Sequence, residues 1–208
     1  MSASYSLNPD KFLFRDLHPS ILIGMASDRY VGWIGQIYSG DRYTNRITER
    51  KHTVGGKSFT EKVLPVDSIQ EYFEHFPVLE IDYTFYRLLL DNHGRPTQNY
   101  LVLTEYKRYM KDKDLVILKV PQVICARKLR RSVTLVENGD YLNPGVFTKQ
   151  FYEPAIEILG SNIGGLIFEQ EYHPKNDACC SGSDQANHLN RKFISRKIGA
   201  MGDLGLQI

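Results

Sequence analysis

The residues best equipped for chemistry lie in one stretch, Glu80-Ile81-Asp82-Tyr83-Thr84-Phe85-Tyr86-Arg87. Side chains of a strand alternate with period two, which predicts Glu80, Asp82 and Thr84 on one face and Ile81, Tyr83 and Phe85 on the other. Two carboxylates and a hydroxyl on one face fit a half-exposed edge strand. They fit equally a barrel strand that points polar groups into a site. Other polar residues stand where apolar runs end: Ser27 and Asp28, Lys119 and Gln122, and Glu169, Gln170 and Glu171. A lysine beside carboxylates at a water-poor strand end has a perturbed proton affinity and can act as acid, base or anion clamp. The alternative is structural: Lys119 neutralises Glu80 or Glu169 inside a barrel.

The elements that would position these groups follow from the apolar pattern. Residues 22–26 read as a buried strand, followed by an aromatic and glycine-rich loop around Trp33. Residues 39–62 are charged, contain Gly55-Gly56 and read as an extended, exposed connection. A helix is predicted from Val66, capped by Asp67 or Ser68 with Glu71 closing a capping box, and ended by Pro77. Residues 78–86 form the second strand. An amphipathic helix over 101–109, an apolar strand over 115–121, a helix over 147–159 interrupted near Pro154, and a strand over 166–171 complete the pattern. Strands alternating with helices imply parallel pairing and α/β layering. In such sheets function sits at the carboxyl ends of the strands, where the residues named above fall.

Composition narrows the function classes. The 208 residues carry a net charge of +2, which gives no chain-wide bias toward nucleic acid or membrane. Thirteen tyrosines and ten phenylalanines stand against one tryptophan; they fit a Tyr-rich core and rim, or a surface that stacks on sugars or bases. Cys125, Cys179 and Cys180 have no metal-binding spacing and an odd count, which favours free thiols in a reducing compartment. No signal peptide or membrane-spanning run is read, so the expected location is cytoplasmic, away from membranes. Gly55-Gly56-Lys57-Ser58 lacks the first glycine of a phosphate loop and no strong strand precedes it, so it is set aside. No cofactor is indicated and no metal-ligand spacing appears. The run Arg127, Lys128, Arg130, Arg131 reads first as an exposed helix face and secondly as a phosphate contact for nucleic acid.

Several segments together resemble the YecE-like family, a family of unknown function (DUF seventy-two). They are Ile23-Gly24, Gly32-Trp33 and Tyr38; Tyr72-Phe73 through Phe76-Pro77-Val78-Leu79-Glu80-Ile81-Asp82-Tyr83-Thr84-Phe85-Tyr86-Arg87; Leu118-Lys119-Val120-Pro121; and Phe168-Glu169-Gln170. The resemblance covers residues 20–172 and implies a TIM-barrel-like fold with no established activity. This chain has Asp82 where the family commonly has Asn, and Cys125-Ala126 where it has Thr-His.

A complete eight-stranded barrel takes about 250 residues, and only four strands are read here. The expectation is therefore an α/β fold comprising roughly the N-terminal half of a TIM-barrel-like domain over 20–172. A disordered or irregular tail is expected over 173–208, with a truncated or frame-shifted reading frame as one source of it. Open sheet edges would favour self-association. Three functions follow. The first is a barrel-type hydrolase acting on a phosphorylated or sugar-like substrate. In it Glu80, Lys119 and Glu169 would be catalytic, Glu80 and Glu169 as acid/base or metal-ligand candidates. Asp28, Trp33, Asp82, Thr84, Tyr86 and Gln170 would bind substrate. The second is a module binding nucleic acid or protein through the basic run. The third is a truncated chain without function.

Overall fold

The computed structural model describes residues 13–54, 57–131 and 134–169. Its centre is a four-stranded parallel sheet made of β1 (Gly24–Met25), β4 (Val78–Ile81), β5 (Leu115–Lys119) and β8 (Ile163–Ile167), in that spatial order. Each strand lies beside the next in the chain, with Met25 opposite Leu79, Glu80 opposite Ile117, and Lys119 opposite Ile167. The α/β layering expected from the alternation of apolar runs is present.

Two antiparallel hairpins form separate two-stranded sheets beside this sheet. The first, β2 (Thr48–Val54) with β3 (Lys57–Val63), lies in the segment read as an extended, exposed connection over 39–62; it is extended, and exposed along β3 up to Val63, but as a paired hairpin. Two runs separated by a Gly-Gly pair are a hairpin signal, and a short helix α1 (Gly40–Tyr43) precedes them. The second, β6 (Lys128–Arg131) with β7 (Thr134–Glu137), contains the basic run, which is therefore strand and not helix.

One face of the sheet is covered by helices. Leu79, Ile81, Val116 and Leu118 pack there with Ile69, Tyr72 and Phe73 of α2 (Ile69–His75), Leu103 and Tyr106 of α3 (Gln98–Tyr109), and Leu159. Alternation sends Glu80, Ile117 and Lys119 to the opposite, half-exposed face. After the short α4 (Gln122–Cys125), the last helical segment runs as α5 (Pro144–Phe147), a widened π turn (Thr148–Tyr152) and α6 (Glu153–Leu159). Pro154 has no N–H to offer the Gln150 carbonyl, which accepts instead from the N–H groups of Leu89 and Leu90, both at 3.0 Å. The expected interruption is thus absorbed without breaking the helix.

Three further expectations change. Residues 22–26 are not a buried strand: β1 is a two-residue edge strand, and Ile21, Leu22, Ile23 and Met25 are exposed. The capping box does not form, because a 3₁₀ turn (Val66–Ser68) opens α2 and Glu71 accepts from the N–H and hydroxyl of Ser39 at 2.7 and 2.9 Å. The folded unit begins before residue 20. Phe14 stacks on Phe76 at 4.8 Å, and Arg15 reaches the Phe76 carbonyl and Asp114. No helix among the described residues is long and apolar enough to cross a membrane. The expected tail over 173–208 lies outside the described residues, as do Cys179 and Cys180.

Candidate functional site

Lys119 ends β5, and Glu80 sits diagonally from it on β4, on the face turned away from the helices. The strand reading of 80–87 holds only to Ile81. From Asp82 to Tyr86 the chain turns as a 3₁₀ helix, because β4 stops where β5 stops pairing with it. That turn swings Asp82 over the end of β5. Lys119 Nζ lies 2.8 Å from Asp82 Oδ1, 3.1 Å from Glu169 Oε2 and 3.3 Å from Glu80 Oε1. Glu169 comes from the far side, two residues past β8. Hydrogen bonds to Asp82, then Glu169 and Glu80, hold the Lys119 ammonium above the usual lysine range against the effect of its partial burial. Lys119 therefore keeps its proton at neutral pH, which removes it as a base. One ammonium among three carboxylates leaves a formal excess of negative charge, unsuited to clamping an anion.

Thr84 anchors the turn instead of facing a ligand. It is fully buried, and its hydroxyl lies 2.8 Å from the Lys119 carbonyl and 3.0 Å from that of Ile81. Its single proton joins the end of β4 to the end of β5. Tyr86 is 79% exposed and stands clear of the cluster. Trp33 packs between Tyr30 and Tyr38, at 5.8 and 6.4 Å between ring centres, as part of the core margin. Gln170 lies outside the described residues.

Beside the lysine cluster, at the carboxyl ends of β1 and β4, a pocket of about 170 Å³ opens. Glu80, Asp82 and Tyr83 form one wall; Arg50 and Glu61, paired across the first hairpin, form another. The hairpin missed in the sequence is thus a wall of the site.

Asp28 lies at the pocket's inner end, 7% exposed. Its backbone is held from both sides. The Tyr38 hydroxyl donates to the Asp28 carbonyl, the Leu64 N–H donates to the Arg29 carbonyl at 3.1 Å, and Arg29 Nε donates to the Leu64 carbonyl at 2.5 Å. Tyr72 fixes β1 itself, accepting from the Met25 N–H at 2.8 Å and lying 2.9 Å from the Val78 carbonyl. Gly24 is required for this approach, since a Cβ there would fall 2.0 Å from the Val78 oxygen. Within that frame the Tyr106 hydroxyl donates to Asp28 Oδ1 at 3.0 Å, while Oδ2 is buried with no partner. Burial pushes the Asp28 carboxyl up to about 6, opposed by the Tyr106 hydrogen bond and the Arg29 charge. The Tyr83 hydroxyl, also buried and without a partner, is held well above the ordinary phenol range by burial and by the charge of Asp28.

Tyr83 and Tyr106 were not singled out in the sequence, because a tyrosine in an apolar helical or strand pattern reads as core. The basic run gives a weaker site. Arg127 Nε and Lys128 Nζ lie 3.6 and 3.8 Å from Glu137, Arg130 is exposed, and the Arg131 side chain is outside the description. Among the described residues no group of His, Cys, Asp and Glu has a metal-binding arrangement.

No family model matches the chain, and no curated protein or solved structure is similar to it.

Proposed function

We propose that the chain is a hydrolytic enzyme on roughly the N-terminal half of a TIM-barrel-like fold, and that its substrate is sugar-like. The observation that carries this is the convergence of Glu80, Asp82 and Glu169 on Lys119 at the carboxyl end of a parallel sheet, beside a pocket. The sequential parallel order of β1, β4, β5 and β8 supports the barrel relation, as does the resemblance of residues 20–172 to the YecE-like family. Of the two substrate types, the sugar is favoured over the phosphate. Carboxylates accept hydrogen bonds from hydroxyls, and the excess negative charge repels a phosphoryl group. Glu80 and Glu169 are the acid/base pair, and Lys119 holds them in place as a fixed ammonium.

Incubating the chain with a panel of nitrophenyl glycosides and nitrophenyl phosphate tests this. The expected result is release of nitrophenol from at least one glycoside and none from the phosphate, with Glu80→Gln and Glu169→Gln each lowering the rate by roughly 10²–10⁴. Failure to hydrolyse any glycoside, or variants that retain the wild-type rate, would contradict it.

A further inference from the structure

Two residues that line the pocket, Asp28 and Tyr83, each carry a buried polar atom that the protein itself leaves unused, Asp28 Oδ2 and the Tyr83 hydroxyl. Buried polar atoms of a folded chain almost always have a partner, and an exception calls for one. A carboxylate oxygen left bare in a buried position is the costliest kind of exception. The chain also spends several contacts on keeping it there: Tyr38, Arg29 and Tyr72 fix the backbone, and Tyr106 fixes the other oxygen.

We propose that Asp28 and Tyr83 form a binding subsite for a neutral polyhydroxylated ligand, one hydroxyl of which donates to Asp28 Oδ2 while an adjacent oxygen meets the Tyr83 hydroxyl. The subsite rests on the enzymatic reading above and names where one ring of the substrate binds. Oδ2 has only acceptor capacity while ionised, so it demands a donor. Tyr83 can donate or accept, as a second hydroxyl of the same ring requires. The formal charges around the pocket are two arginines, Arg29 and Arg50, against Asp28, Glu61, Glu80 and Asp82. That balance excludes an anion. The volume, about 170 Å³, suits one ring and not an extended chain. Tyr106 is a positioning residue: it orients Asp28 through Oδ1 and donates its own proton inward.

The experiment follows the Asp28 carboxyl carbon by NMR in aspartate-labelled full-length chain at pH 7, on addition of glucose, myo-inositol, glycerol or inorganic phosphate. One cyclic polyol is expected to shift the Asp28 resonance saturably. Its affinity should fall at least tenfold in Tyr83→Phe, and phosphate should produce no shift. A resonance unmoved by any polyol, or binding unchanged in Tyr83→Phe, would overturn the subsite. Because the Asp28 resonance is first read in the wild-type chain, the polyol and phosphate results do not depend on a variant folding. The two proposals fail separately. Polyol binding at Asp28 without glycoside hydrolysis sinks the enzymatic reading alone, and hydrolysis indifferent to Tyr83→Phe sinks the subsite alone.

Discussion

Two aspartates are buried at opposite ends of the same sheet, and their surroundings differ completely. Asp114 directly precedes β5, at the amino ends of the strands, and is 1% exposed. Its Oδ1 takes a 3.0 Å ion pair from Arg15, and its Oδ2 accepts from the Lys111 N–H at 2.7 Å. Asp28 follows β1, at the carboxyl ends, with one oxygen on Tyr106 and the other on nothing. Both are carboxylates removed from water; only Asp114 has a partner on each oxygen to offset that removal. The satisfied one ties residues ninety-nine apart in the chain and serves the fold. The unsatisfied one faces a pocket. The contrast divides the sheet into a stability end and an end where we propose that function lies, as parallel α/β architecture leads one to expect.

The contrast is breakable, and the largest effect is expected at the stability end. Asp114→Ala strips Arg15 of its counter-charge and the Lys111 N–H of its acceptor. It should lower the unfolding free energy by roughly 2–4 kcal/mol in urea denaturation. A loss below about 1 kcal/mol would erase the distinction.

At the functional end the sign reverses with pH. The folded carboxyl of Asp28 binds its proton more tightly than the unfolded one, up to about 6 against about 3.9. The native state thus holds more protons between those values, and the contribution of Asp28 to stability is lost as pH rises through that window. Two pH steps of about 1.4 kcal/mol each set an upper scale near 3 kcal/mol. Asp28→Asn removes the ionised form while keeping an acceptor for Tyr106. Relative to wild type it should be stabilised at pH 8 by on the order of 1–2 kcal/mol, and by less at pH 4. Destabilisation that is the same at both pH values would show that Asp28 is a structural group like Asp114.

The smallest effect is expected at Lys119. Its side chain is 22% exposed, and its partners Asp82 and Glu169 are more open still. Lys119→Met should change the unfolding free energy by under about 1 kcal/mol while abolishing any glycoside hydrolysis. A large loss of stability would mean that the cluster is a structural ion-pair network.

The functional end was partly legible in the sequence. Glu80, Lys119 and Glu169 were found because residues at the ends of apolar runs cluster at one edge of a parallel sheet, a consequence of topology alone. Asp82 belongs with them for another reason than the one given. Period-two alternation put it on a strand face, whereas the chain turns at Asp82 and delivers it from above. Thr84 went wrong for the same reason, since strand length is set by the neighbouring strand and not by local pattern. Asp28 was visible by position, but its burial was not, because that depends on Tyr38, Tyr72 and Tyr106 arriving from three other segments. Tyr83 and Tyr106 carry no local mark of function. At the stability end, nothing near Arg15 announces a partner at Asp114. The first hairpin, by contrast, was signalled by Gly55-Gly56 between two strand-forming runs and was readable.

The central claim is that Asp28 is a buried carboxylate that the fold leaves unneutralised at its functional end. Titrating the Asp28 carboxyl carbon by NMR in the ligand-free chain tests it most directly. A midpoint near 6 agrees with the bare Oδ2 and the burial seen here. A midpoint near 4, the value of a solvated aspartate, would contradict it.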